Sequence, residues 1–274
     1  QYTGSVSIIS FADIDKAARR ISKTAIRTPL VDVSVSAGRS LLLKCENLQV
    51  TGSFKIRGAL NMIAQIPPNR REAGVITYSS GNHAQAVAYA AREIGIPSVV
   101  VMPRTAASVK IDGARGYGAE VLFEGTTSVE RRLRAEQEAA SRGLIVIPPF
   151  DHPDIIAGQA TVGLELLEDV TEVTHVYVPV GGGGSISGIW RGFCDLKRLN
   201  LITTCPKMIG VVPHNYNALE IAFDKGIAKW EDILDMPFND APPSVLVKLA
   251  HPYPPDLHLD LPISLPLQLQ IPIS

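Results

Sequence analysis

A chain of 274 residues with 26 Lys and Arg against 27 Asp and Glu has a formal net charge of −1, so no cationic excess points to nucleic acid or an anionic membrane. Hydrophobic residues at 46% and charged residues at 19% describe an ordinary globular mixture and exclude wholesale disorder. No run reaches the roughly 18 apolar residues of a membrane helix, and three scattered cysteines (Cys45, Cys194, Cys205) form neither a disulfide framework nor a CxxC metal site, as expected of a cytoplasmic protein.

In chain order, Phe11–Lys23 reads as an amphipathic helix with Ser10 and Asp13 at its start, and Leu41–Lys44 as a short strand. Strand and helix then alternate. Gly74–Ser79 is a buried strand, His83–Ile94 an alanine-rich helix, Pro97–Met102 a strand, Thr105–Tyr117 a helix and Ala119–Phe123 a strand. Thr127–Arg142 is a charged helix opened by a Thr127/Glu130 capping box, and Leu144–Ile147 is a further apolar run. Ile155–Val170, His175–Val180, Ile186–Arg198 and Lys207–Val212 continue as helix, strand, helix and strand. This alternation with short Gly-bearing links predicts an α/β protein with parallel-rich sheets flanked by helices. From Pro237 onward the character changes: 9 of the last 38 residues are proline, and Leu or Ile occupies every odd position from Leu257 to Ile273. Three prolines on the polar side of that alternation forbid a central strand, so the segment reads as an extended tail foreign to the preceding fold.

Three segments carry chemistry. In TGSFKIRGA (51–59), Lys55 stands between Phe54 and Ile56 just before an apolar helical pattern. A lysine in apolar surroundings loses proton affinity, becomes nucleophilic, and suits a Schiff base with an aldehyde cofactor; a surface lysine at a helix start is the plain alternative. Ser79-Ser80-Gly81-Asn82-His83 lies between a strand and a helix, where backbone N–H groups form an anion site, or where an ordinary turn takes a Ser or Asn cap. Gly181 to Gly184 follow a strand and open a helix, a costly run whose return is a backbone cradle for phosphate. No GxGxxG register fits and no GK[ST] follows, so the cofactor carries a phosphate without being a dinucleotide.

With PPFDHPDIIAGQAT (148–161) added, these motifs resemble the serine/threonine dehydratase and serine racemase family, the fold-type II pyridoxal phosphate enzymes, from about residue 9 to about residue 227. The resemblance implies roles. Lys55 would bind pyridoxal 5'-phosphate and act as base at Cα, with Phe54 packed beside the cofactor. Asn82 would meet the pyridine 3-hydroxyl, and Gly181, Gly182, Gly183 and Gly184 the phosphate. Ser79, Ser80, Gly81 and His83 would bind the substrate carboxylate, and Ser80 matches the second proton donor of the racemases. The implied activity is a lyase converting L-serine or L-threonine to a 2-oxo acid and ammonia, in a homodimer acting on a small amino acid. A serine racemase is the alternative, and an inactive truncated homologue the alternative of another class. Metal-dependent members have a glutamate where this chain has Val212 and a second acidic ligand near Ala218, so no metal is expected. Members also continue for about 50–100 residues of large domain, including a hydroxyl or thiol that meets the pyridine nitrogen. The Pro/Leu end therefore reads as a frame-shifted or wrongly joined gene. The expected organisation is a discontinuous, incomplete large cofactor domain (1–72 and 148–236), a small domain (73–147) and an atypical tail (237–274).

Overall fold

The computed structural model describes residues 9–38, 40–170, 172–213 and 245–249. Its central sheet is built from β3 (Val75–Tyr78), β4 (Ser98–Met102), β5 (Glu120–Phe123) and β6 (Ile145–Val146); it is preceded by β1 (Leu30–Asp32) and β2 (Leu42–Lys44), which pair antiparallel. The order in the central sheet is β5-β4-β3-β6, with every pair parallel. β4 is buried throughout, which is why it is written as an unbroken apolar run rather than an alternating one.

Helices cover both faces of this sheet. α4 (Asn82–Ile94), after α1 (Phe11–Ile21), α2 (Ser34–Ala37) and α3 (Lys55–Ile63), carries Ala84, Ala86, Ala88, Ala90 and Ala91, all buried. Alanine spends no side-chain entropy in a helix and leaves a thin surface. One side of α4 joins α3 in a cluster with Ile56, Ile63 and Val75, and another meets Val100 and Met102 together with Ala114 of α5 (Ser108–Gly116). On the opposite face, Ala135 of α6 (Ser128–Arg142) meets Ile76, Val99 and Val101. The capping box of α6 forms as its spacing predicts: Thr127 Oγ1 accepts from Glu130 N at 3.3 Å, and Glu130 Oε2 accepts from Thr127 N at 2.8 Å. Bonds donated to it by Thr127 N, Thr127 Oγ1 and Thr126 N hold the Glu130 carboxyl at a pKa of about 2.

The remaining elements are α7 (Pro153–Asp169), β7 (His175–Pro179), α8 (Gly184–Arg198), β8 (Lys207–Pro213) and β9 (Val245–Leu249). β7 and β8 are parallel, and β9 closes that sheet antiparallel to β8. α7 is buried without a break from Ile155 to Gly163, having neighbours on several sides. Its approach to α3 is that of backbone to backbone: a Cβ at Gly158 would lie 2.5 Å from Arg57 O.

Several boundaries differ from the sequence reading. α5 starts at Ser108 instead of Thr105, because Arg104 and Thr105 form a turn closed by Ala106 N donating to Pro103 O at 3.0 Å, and Ala107 is extended. α8 begins at Gly184, two residues before Ile186, since only Gly183 takes a left-handed φ (79°) and the helix follows at once. β1 and α2 are too short to show periodicity. The stretch read as tail contributes β9, which lies between Pro243 and Pro252, contains no proline, and is an end strand of its sheet among the described residues. The alternating 257–273 segment and Ala218 lie outside the described residues.

Candidate active site

The strand order places the site. From β3 the chain winds outward through β4 and β5, and α6 then brings it back to lay β6 on the other side of β3. Between β3 and β6 the connections leave in opposite directions, which opens a crevice at the carboxyl ends of the two strands. The residues after β3 are Ser79–His83; those after β6 are Ile147–Phe150.

The 147–150 segment joins the three motifs. Ile147 O accepts from Thr77 Oγ1 at 2.7 Å and lies 3.1 Å from His83 Nε2. Pro149 O accepts from Lys55 Nζ at 2.6 Å. The Phe150 ring covers Gly182, where any Cβ would overlap ring carbons, and a Cβ at Gly184 would stand 2.9 Å from Phe150 O. The sequence reading used these residues for resemblance and gave them no role. The signal was present in Pro148-Pro149: two residues without N–H groups can neither continue a helix nor complete a central ladder, so their carbonyls are left to accept from side chains.

Lys55 is the first residue of α3, and its side chain is half-buried. Enough protein surrounds the amine that desolvation lowers its pKa from 10.5 to about 8. Phe54 lies alongside, with the amine 5.4 Å from its ring centroid. His83, 2% exposed, has its pKa lowered to about 3, first by burial and then by the charge of Lys55, against the raising effect of Ile147 O. The imidazole is therefore neutral; Nε2–H donates to Ile147 O, and Nδ1 is buried without a partner.

Around them, Ser80 is exposed, Ser79 Oγ accepts from Gly81 N at 3.2 Å, and Asn82 starts α4 half-buried. The end of the Lys110 side chain lies over Gly81, a neighbour the sequence did not reveal. The four glycines are not equivalent. Gly182 and Gly184 make room for Phe150, Gly183 supplies the left-handed turn, and Gly181 is exposed with nothing near its Cβ direction. α8 has no side-chain cap at its start, so its first N–H groups are available to an anion. Thr51 Oγ1 and Ser53 Oγ, just ahead of Lys55, are buried without partners. An amine of lowered pKa and an uncapped helix start on a glycine cradle, both bound to the 147–150 segment, fit an aldehyde-bearing phosphate cofactor. Val212 is buried at the end of β8, and among the described residues no three His, Cys, Asp or Glu side chains cluster as metal ligands would.

Comparison with known proteins gives the family. Residues 21–248 match the family described as pyridoxal-phosphate dependent enzyme, and the chain belongs to that family. It is 41% identical over 223 residues to the L-threonine dehydratase catabolic TdcB of Staphylococcus aureus (strain USA300), covering 80% of this chain and 62% of that protein. To the L-threonine ammonia-lyase of Thermotoga maritima it is 42% identical over 225 residues, covering 81% and 55%. Among solved structures, maize serine racemase superposes with a TM-score of 0.74 at 33% identity, covering 80% of this chain and 66% of that one. The processed form of threonine deaminase isoform 2 from Solanum lycopersicum gives 0.72 at 34% identity, covering 82% and 62%. The α/β fold with parallel strands flanked by helices is common to them. The chain spans less than two thirds of the length of the two curated relatives.

Proposed function

We propose that this chain is the catalytic frame of a pyridoxal phosphate-dependent ammonia-lyase that converts L-serine or L-threonine to a 2-oxo acid and ammonia. The observation that carries the reading is the Lys55 amine, held 2.6 Å from Pro149 O with a pKa of about 8, on the segment that also covers the glycine cradle. On the order of a tenth of such amines is unprotonated at neutral pH, against well under a thousandth for an ordinary lysine. Lys55 would hold the cofactor aldehyde, Gly181–Gly184 and the α8 start its phosphate, and Asn82 its ring hydroxyl, with Phe54 packed beside it. When bound, pyridoxal phosphate supplies the electron sink that lets a Cα proton leave.

The chain's own residues do the rest. Lys55 Nζ takes the Cα proton, and Pro149 O fixes the direction of the amine. The Ser79–Gly81 loop and the first N–H groups of α4 bind the substrate carboxylate. His83 contributes through its place in that first turn, because its neutral ring is engaged with Ile147 O. Loss of the Cβ hydroxyl and hydrolysis then give the 2-oxo acid and ammonia. The racemase reading is supported by the exposed Ser80 hydroxyl at the same loop and by the likeness to maize serine racemase. A small domain over 73–147, a large one around it, a homodimer and cytoplasmic residence belong to the same proposal; no described helix is long and apolar enough to cross a membrane. The test incubates the full chain with pyridoxal phosphate and each L-amino acid, measuring 2-oxo acid and, by chiral chromatography, D-serine. Formation of 2-oxo acid supports the lyase and D-serine alone the racemase; a chain that never takes up the cofactor refutes both.

A further inference from the structure

Two residues beyond Lys55, Arg57 is 1% exposed, and every N–H of its guanidinium finds an acceptor. Nε and Nη2 donate to the two carboxylate oxygens of Glu46 at 2.8 and 2.7 Å. Nη1 and Nη2 donate to those of Glu165 at 2.6 and 2.9 Å. Thr161 Oγ1 and Ile26 O accept as well. Lys44 adds a second cation: its ammonium is 2.6 Å from Glu165 Oε2 and donates to Thr28 O, while Thr28 Oγ1 donates to Glu46 Oε1 at 2.6 Å. These two cations and two anions tie α3 to α7 and to the strand and turn of residues 42–48, and Lys44, 3.6 Å from Asp169 Oδ2, links them onward to the pairs of Arg27 with Asp169 and Glu168. Burial works against the Arg57 charge, but the bonds to Glu46 and Glu165 outweigh it and raise its pKa above the ordinary arginine value.

The position of this cluster matters more than its strength. At about 100° per residue, side chains two apart leave a helix from nearly opposite sides. Arg57 and Lys55 therefore stand on either side of α3, so the seat of Arg57 sets where Lys55 points. Sliding is blocked separately, since Gly58 and Gly158 meet backbone to backbone and Asn61 Nδ2 donates to Asp154 O at 2.7 Å. Rotation of the first turn of α3, which lacks a side-chain cap, is held by Arg57.

We propose that Arg57 is a positioning residue: its paired bonds to Glu46 and Glu165 fix the rotation of α3, so that the Lys55 amine is delivered to Pro149 O and kept from solvent. This rests on the reading of Lys55 as the cofactor lysine. Only a planar fork serves two carboxylates edge-on, so lysine cannot replace it.

The test reads Lys55 directly. The full chain, without added cofactor, is acylated with limiting acetic anhydride over a range of pH, and the pH of half-maximal labelling of each lysine is read by peptide mass spectrometry. In Arg57→Lys we expect that midpoint to rise for Lys55 toward the ordinary lysine value, with Lys23 and Lys207 unchanged. Ile63→Val, which loosens the hydrophobic packing of α3 against α4 without touching the charges, should leave Lys55 at the wild-type level. Should Arg57→Lys fail to fold, Glu46→Gln retains the Glu165 pair and is expected to give a smaller rise of the same kind. An unchanged Lys55 midpoint, or a rise shared by all lysines, overturns the proposal by showing that Arg57 only adds stability. Borohydride trapping of pyridoxal phosphate on the wild type is a separate measurement: failure to reduce onto Lys55 removes the cofactor reading and leaves the labelling result standing.

Discussion

Replacing His83 by glutamine should remove an acid-sensitive element from the protein. The wild-type imidazole has an ordinary pKa of 6.5 when unfolded and about 3 when folded. Between those values the unfolded chain binds a proton that the folded chain refuses, so stability falls as the pH drops through this window and is fully present above 6.5. At about pH 5 the loss from this one group is about 2 kcal/mol, from roughly 1.5 units at 1.36 kcal/mol each. At roughly 2–4 °C per kcal/mol for a protein of this size, the contribution is a fall in Tm of about 4–8 °C. Other carboxylates titrate in the same range, so the informative quantity is the difference between the two pH profiles. The substituted amide cannot be protonated, and Ile147 O keeps the Thr77 hydroxyl as a donor, so the baseline cost is modest. The assay is thermal unfolding from about pH 7.5 to 4 for both proteins. The His83→Gln variant should lose about 2 kcal/mol less than wild type by about pH 5; parallel profiles would refute the buried, neutral assignment of His83.

Four further outcomes follow from the structure. Lys55→Ala should abolish both cofactor trapping and activity, and borohydride reduction with peptide mapping should place all wild-type label on Lys55; label on another lysine sinks the assignment. Lys44 is not a neutral control for that experiment, because its ammonium is buried against Glu165, and Lys44→Ala is expected to lower the unfolding midpoint. Gly182→Ala must displace the Phe150 ring, an overpacking worth about 1–3 kcal/mol, and should weaken pyridoxal phosphate affinity in a spectroscopic titration, whereas Gly181→Ala, with open space beside it, should cost far less. Activity is expected to survive EDTA, since Val212 offers no ligand; restoration of a lost activity by Mg²⁺ or Ca²⁺ would overturn that view.

Periodicity and punctuation in the sequence were enough to locate β3, α4, β4, α6, α7, β7 and β8 to within a few residues. The reason is local: apolar runs, alanine content and the Thr127/Glu130 box act over a turn or a strand, so neighbours in sequence carry the signal. The glycine run and the Lys55 motif were legible for the same reason, as each is a local solution to a backbone or desolvation problem. What tertiary structure alone decided was which distant groups meet. The apolar flank of Lys55 suggested a lowered pKa, but the carbonyl that orients it belongs to Pro149, which follows all four strands of the central sheet in the chain. His83 reads as one more polar residue of an anion loop until the return of β6 beside β3 brings Ile147 O to its ring and seals it from solvent. Arg57 looks like any helix arginine, and its burial depends on Glu46 and Glu165 arriving from two other segments. Burial and partnership at these positions are set by strand order and helix crossing, and no window of local sequence contains either.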